Sequence, residues 1–188
     1  MQVISTSVDD VKVLCPKRFE DNRGTFMELW NEDTLFKINI KDTFVQDNLS
    51  TSQKGVLRGV HTQIRFPQSK IVTCLQGEIF DVAVDCRIDS PSFGKWCGVF
   101  LSGENHKQLY IPNGVAHGFL TLDDAMVYMK VSTHYIPGDE IGFLWDDSEI
   151  GIDWPNLGDV RLILADKDLK WKDFKGMIHE LSKLKQKT

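Results

Sequence analysis

From residue 71 to residue 132 the chain is a series of short apolar runs, each cut off by Gly, Pro, Asn or Asp. The runs 71–76, 78–85, 96–101, 108–111, 117–122 and 126–132 read as strands separated by turns. Gly77 alone separates the first two, a hairpin-like break. Helical periodicity is clear only near the end, where Trp171, Phe174, Ile178 and Leu181 recur at three- and four-residue steps with lysines between them. Residues 31–37 read as a short helix. Many short strands with a terminal amphipathic helix predict a mainly β, antiparallel jelly roll with the helix packed outside. One domain is expected over 1–188, with a barrel over about 20–155 and a helical extension over about 165–185. The mouth of such a barrel holds one small ligand, lined by the side chains that alternate inward.

The 188 residues suffice for one sizeable core. A net charge of -5 argues against general nucleic-acid binding but leaves room for a local basic pocket that takes a phosphorylated small molecule. Four cysteines are present without a CxxC pair, and Cys74 and Cys86 sit in or beside apolar runs, so buried free thiols are expected. No signal segment or long apolar span is visible, which predicts a soluble, cytoplasmic protein without a membrane partner.

Two segments carry chemistry. The first is Gly55-Val-Leu-Arg58-Gly-Val-His61-Thr-Gln63, followed by Lys70 and Gly77; the second is Ile111-Pro-Asn-Gly-Val-Ala-His117-Gly-Phe119. Their spacing resembles the two metal-binding motifs of a cupin barrel, with Gln63 and Lys70 standing where ligands belong. A protonated lysine has three donors and no lone pair, so it cannot ligate a metal. No metal or other cofactor is expected. Lys70 is suited to stabilising an oxyanion, although a strand-end lysine can also simply reach solvent. His61 as a neutral imidazole is suited to taking a proton from carbon beside a carbonyl. Alternation lets it face a cavity, with Gly59 able to disturb the pleat. His117 is either a structural relic of a metal site or a substrate contact. The triplet Gln46-Asp47-Asn48 either ends a strand or binds sugar hydroxyls or a phosphate-bearing ligand. Arg23 and Glu28, flanking Gly24-Thr-Phe26, form only a turn signal when taken alone.

Together these residues resemble the nucleotide-sugar 3,5-epimerases typified by dTDP-4-dehydrorhamnose 3,5-epimerase. Matching pieces include Asp21-Asn-Arg-Gly24, Phe44-Val-Gln-Asp-Asn48, the His61 segment, Gln68-Ser-Lys70 and Gly77 to Asp85. Ala116-His-Gly-Phe119, Gly151-Ile-Asp-Trp-Pro155 and Lys167-Asp168 extend the match over nearly the whole chain. The resemblance implies a metal-free cupin jelly roll, usually a homodimer, acting on a nucleoside-diphospho-4-keto-6-deoxyhexose. It implies His61 as base, Asp168 as the group that orients or polarises it, and Lys70 as the oxyanion-stabilising cation. Arg23, Glu28, Gln46, Asn48, Arg58, His117, Glu140 and Lys167 match positions that bind the nucleotide sugar.

One departure stands out. The family's second catalytic residue is a tyrosine just before a lysine; here Met129 precedes Lys130. Tyr128 is adjacent but one residue along a strand, on the opposite face unless a bulge turns it inward. His134 and Tyr135 are further possible acids. Loss of the tyrosine favours exchange without full inversion, or inversion at C3 or C5 alone. The competing readings are a keto-sugar isomerase, a lapsed nucleotide-sugar-binding cupin and, least of all, a metal cupin.

Overall fold

Strand sequences with alternate apolar residues pair here into two sheets that face one another. The computed structural model describes residues 1–185, with side chains to Leu184. In chain order the elements are β1 (Gln2–Ser5), β2 (Lys12–Cys15), β3 (Arg18–Asp21), β4 (Gly24–Met27), α1 (Glu32–Lys37), β5 (Gln46–Ser52), β6 (Leu57–Gln63) and β7 (Lys70–Gln76). They continue with β8 (Glu78–Asp85), β9 (Trp96–Ser102), β10 (Gln108–Ile111), β11 (Val115–Thr121), β12 (Ala125–Val131), β13 (Glu140–Gly142) and α2 (Phe174–Lys185). A six-stranded sheet runs β1-β2-β10-β7-β12-β5, and a five-stranded sheet runs β13-β6-β11-β8-β9. Their pairings are antiparallel, as the jelly-roll reading requires. Strands β3 and β4 form a separate, largely exposed hairpin.

Alternation sorts the apolar residues into three layers. Between the sheets lie Val72, Ile79, Leu109, Phe119 and Val127, with Met129 packed against them. The other face of the five-stranded sheet, through Val60, Phe80, Val82 and Val84, is covered by Phe174, Met177 and Leu181 of α2. The other face of the six-stranded sheet packs Leu14, Ile71 and Tyr110 against Leu35 of α1 and Ile40. Each fully buried Val, Leu, Ile or Phe contributes about 1.5–3 kcal/mol, so both helices are held by packing. Asn31 caps α1 by accepting from the Thr34 amide. Helix α2 begins at Phe174, so Trp171, expected on its apolar stripe, lies ahead of it. The segment between β13 and α2 contains one 3₁₀ turn, Asp168–Lys170, packed on β6.

Gly77 joins β7 to β8 with φ +71°, and a Cβ there would collide with the Asp124 carbonyl oxygen. Cys74, Cys86 and Cys97 are buried free thiols and Cys15 is a half-buried one. Among the described residues no helix is long and apolar enough to cross a membrane.

Candidate active site

Strand β6 carries His61 and Gln63 at alternate positions. Across from it on β11, His117 is the direct partner of His61. Between Arg58 and His61 the β6–β11 register shifts by one residue. Gly59 sits in that irregularity with φ +101°, so close to His117 that a Cβ would strike its carbonyl oxygen. The sequence pattern anticipated this disturbance, which sets His61 beside His117.

The opposite sheet contributes Lys70, the first residue of β7. Its side chain is buried and crosses the gap between the sheets, donating from Nζ to Gln63 Oε1 at 3.1 Å. An imidazole on one sheet and an ammonium on the other therefore face one interior space. Burial, reinforced by the charges of Lys70, Lys167 and His117, holds His61 well below its ordinary pKa. Burial also brings Lys70 down to about 8, opposed by Glu140 and Asp81. At neutral pH one side chain is a free base and the other is largely a cation.

Two carboxylates complete the cluster. Glu140 of β13 places Oε1 3.4 Å from His61 Nε2 and accepts from Lys167 Nζ at 2.7 Å through Oε2. Asp81, fully buried at the centre of β8, lies 2.6 Å from His117 Nε2. Its second oxygen has no partner within the protein. Sequence reasoning missed Asp81, although a lone Asp inside the apolar run of β8 is itself a signal: a buried carboxylate needs a partner.

Asp168, expected to orient or polarise His61, makes its hydrogen bonds elsewhere. It is buried, but accepts from the Trp171 indole at 3.2 Å and from the Gly59 amide at 3.5 Å, while His61 Nδ1 has no partner. Its turn lies against the β6 backbone two residues from His61, and the carboxylate within 3.4 Å of the imidazole is Glu140.

On β5 the expected triplet divides by strand parity. Gln46 and Asn48 turn inward and bond one another at 2.7 Å. Asp47, expected as a possible substrate contact, points the other way and pairs with Lys130 at 2.7 Å. Tyr128 lies on that same outer face with its hydroxyl 3.3 Å from Lys130 Nζ, and Trp30 stacks under the same ammonium at 5.0 Å. The bulge invoked to bring Tyr128 inward does not occur. The β12 register against β5 is unbroken, and the shift against β7 falls earlier, between Met126 and Val127. Tyr128 is thereby removed as an inward acid. Met129 occupies the inward position, opposite Asn48 and Val72.

The remaining expected residues lie on neighbouring strands, connections and the outlying hairpin. Arg58 donates from Nε to Ser52 Oγ on β5. His134 and Tyr135 are exposed on the connection from β12 to β13, with the Tyr135 amide held by Gln46 Oε1. Arg23 and Glu28 stand apart: Arg23 pairs with Asp21 inside the β3–β4 hairpin, and Glu28 accepts from Asn31 and Thr34 at α1. Among the described residues no group of three or more His, Cys, Asp or Glu is arranged to hold a metal ion. The arrangement suits proton removal from carbon next to a carbonyl, with a cation ready for the oxyanion.

A family model described as dTDP-4-dehydrorhamnose 3,5-epimerase matches residues 5–176. A dTDP-4-dehydrorhamnose 3,5-epimerase of Shigella flexneri is 48% identical over 177 residues, covering 93% of this chain and 96% of that protein. The crystal structure of a dTDP-6-deoxy-D-glucose-3,5-epimerase from Legionella pneumophila, in complex with dTDP-4-keto-L-rhamnose, is 44% identical. It matches with a TM-score of 0.91 over 96% of each chain. A 3′-monoepimerase from Streptomyces bikiniensis in complex with dTDP-quinovose matches with a TM-score of 0.85 at 29% identity, over 97% of this chain and 94% of that one.

Proposed function

The chain belongs to the dTDP-4-dehydrorhamnose 3,5-epimerase family, and from that premise we propose the roles of its residues. The reaction is epimerisation of a nucleoside-diphosphate-linked 4-keto-6-deoxy sugar at C3, C5 or both, in deoxysugar biosynthesis. The observation that carries the assignment of roles is the pairing across the barrel: His61, neutral and basic on β6, facing Lys70, cationic on β7.

The C4 ketone acidifies the hydrogens on both neighbouring carbons. His61 takes one of them, and the electron pair moves onto the C4 oxygen. Lys70, aimed by Gln63, stabilises that enolate in a site where burial strengthens the interaction. His117, locked by Asp81, and the inward pair Gln46–Asn48 offer polar contacts to the sugar. Arg58 and Lys167 supply positive charge for the diphosphate. A dTDP-linked sugar is the substrate favoured by the ligand of the Legionella pneumophila structure.

These charge states fix the pH profile. His61 must be neutral, so kcat/KM rises with pH through a value well below 6.5. Lys70 must be charged, so kcat/KM falls as pH rises through about 8. A bell with its alkaline limb near 8 is the expected result. A profile flat from pH 6 to 10 removes Lys70 as an essential cation.

A homodimer is part of this proposal. Strand β1 is an edge of the six-stranded sheet, open to strand addition. The exposed hairpin offers Phe19 and Phe26, the latter 71% exposed, as a second surface. Sedimentation at micromolar concentration should give twice the chain mass; a monomer there overturns the assembly.

A second reading, inversion at a single centre, is favoured by Met129, which has no exchangeable proton to deliver from the face opposite His61.

A further inference from the structure

A base that takes a proton from carbon must lose that proton before it can act again. When a sugar fills the site and water is excluded, the proton needs a way out through the protein. His61 has two ring nitrogens. Nδ1 is buried without a partner. Nε2 faces Glu140 Oε1 at 3.4 Å, a separation that shortens in catalytic pairs once substrate is bound. Strand pairing sets this contact. On β13 Glu140 lies opposite Gln63 and Gly142 lies opposite His61, so the carboxylate reaches the imidazole diagonally. Among the described residues Glu140 is the one carboxylate paired with that ring. Asp81 is taken by His117, and Asp168 by the Trp171 indole and the Gly59 amide. The other oxygen of Glu140 accepts from Lys167 at 2.7 Å, and the Lys167 side chain is 52% exposed. The carboxylate therefore bridges an enclosed base and the protein surface.

We propose that Glu140 is a proton relay: it takes from His61 the proton removed from the sugar and passes it to solvent. The proposal rests on the epimerase reading above. His61 Nε2 takes the proton from carbon, and the C–H electron pair becomes the enolate. Glu140 Oε1 then takes the proton from Nε2; the imidazole keeps the N–H electron pair and Glu140 becomes a carboxylic acid. Water at the surface removes the proton and restores the carboxylate. The reverse path carries a solvent proton to His61 and on to the carbon. Glu140 thus sets how often the original proton is exchanged rather than returned, a role separate from holding the enolate charge. The neighbouring cations and burial assist, because an imidazolium held well below its ordinary pKa gives up its proton readily.

The test follows loss of label from C3 and C5 of dTDP-4-keto-6-deoxyglucose into ordinary water, with deuterium and tritium compared in one solution. In the native protein the proton leaves His61 faster than it returns, so C–H cleavage limits the loss and deuterium leaves faster than tritium by a full primary isotope effect. Glu140→Gln keeps the shape and an oxygen for Lys167 but cannot carry the proton. Its label should return to carbon many times before escaping. Expected is a loss at least about tenfold slower, smaller than the hundredfold or more due to the base itself, with the deuterium-to-tritium ratio collapsing toward one. In Glu140→Ala, acetate should restore both rate and ratio, and chloride at the same ionic strength should not. A role in binding substrate, in positioning His61 or in supporting the Lys70 charge slows capture or C–H cleavage and leaves the ratio primary. A Glu140→Gln protein with the native ratio therefore overturns the proposal whatever its rate, as does a Glu140→Ala protein on which acetate and chloride act alike. A native protein that loses no label overturns the epimerase reading, and the relay with it.

Discussion

Replacing His61 with Asn is expected to cut solvent-deuterium incorporation by at least about a hundredfold, the ordinary contribution of a general base. Asparagine keeps a planar polar group of similar reach but has no basic lone pair at neutral pH. The imidazole has one nitrogen 3.4 Å from Glu140 and the other without a partner, so little hydrogen bonding is lost with the ring. The fold should therefore persist, with unchanged near-ultraviolet circular dichroism. The loss should appear in kcat rather than KM, because the interaction removed belongs to the transition state. A folded His61→Asn protein that exchanges at near-native rate would remove His61 from the mechanism.

Replacing Asp81 with Ala is expected to be the most damaging change to stability. Its carboxylate is fully buried and 2.6 Å from His117 Nε2. Removing it leaves a buried imidazole nitrogen without its hydrogen-bond partner, at a cost of about 1–3 kcal/mol. In a chain of this length that lowers Tm by roughly 2–12 °C. Asp81→Asn leaves an amide oxygen in the same place to accept from the imidazole and should cost well under half as much. Equal losses for Ala and Asn would mean that cavity formation, rather than the His117 partnership, sets the effect. A loss below about 1 kcal/mol for Ala would contradict the pairing altogether.

The strands were legible because alternation reports which face is buried, and each face of both sheets has its own apolar partner. His61, Gln63 and Lys70 could be read as one cluster because the motif spacing places them on strands of the two facing sheets. The hydrogen bonds of Asp168 to the Gly59 amide and the Trp171 indole were not legible, because its seat depends on how a 3₁₀ turn more than a hundred residues downstream docks on β6, which no local pattern encodes. Glu140 takes the place beside His61 through β13, a three-residue strand too short for a period. For Tyr128 simple parity was right and the added bulge was wrong, because the β5–β12 ladder runs in register through it. Parity also divides Asp47 from Gln46 and Asn48, three neighbours that composition alone treats alike.

The central claim is that His61 opens a C–H bond beside the ketone while Lys70 holds the resulting charge. The most direct measurement incubates the native protein with dTDP-4-keto-6-deoxyglucose in deuterated water and follows C3 and C5 by proton magnetic resonance. The account predicts loss of the proton signal at C3, C5 or both, with deuterium retained in the product and no metal added. A folded protein that leaves both protons in place through many hours would contradict it.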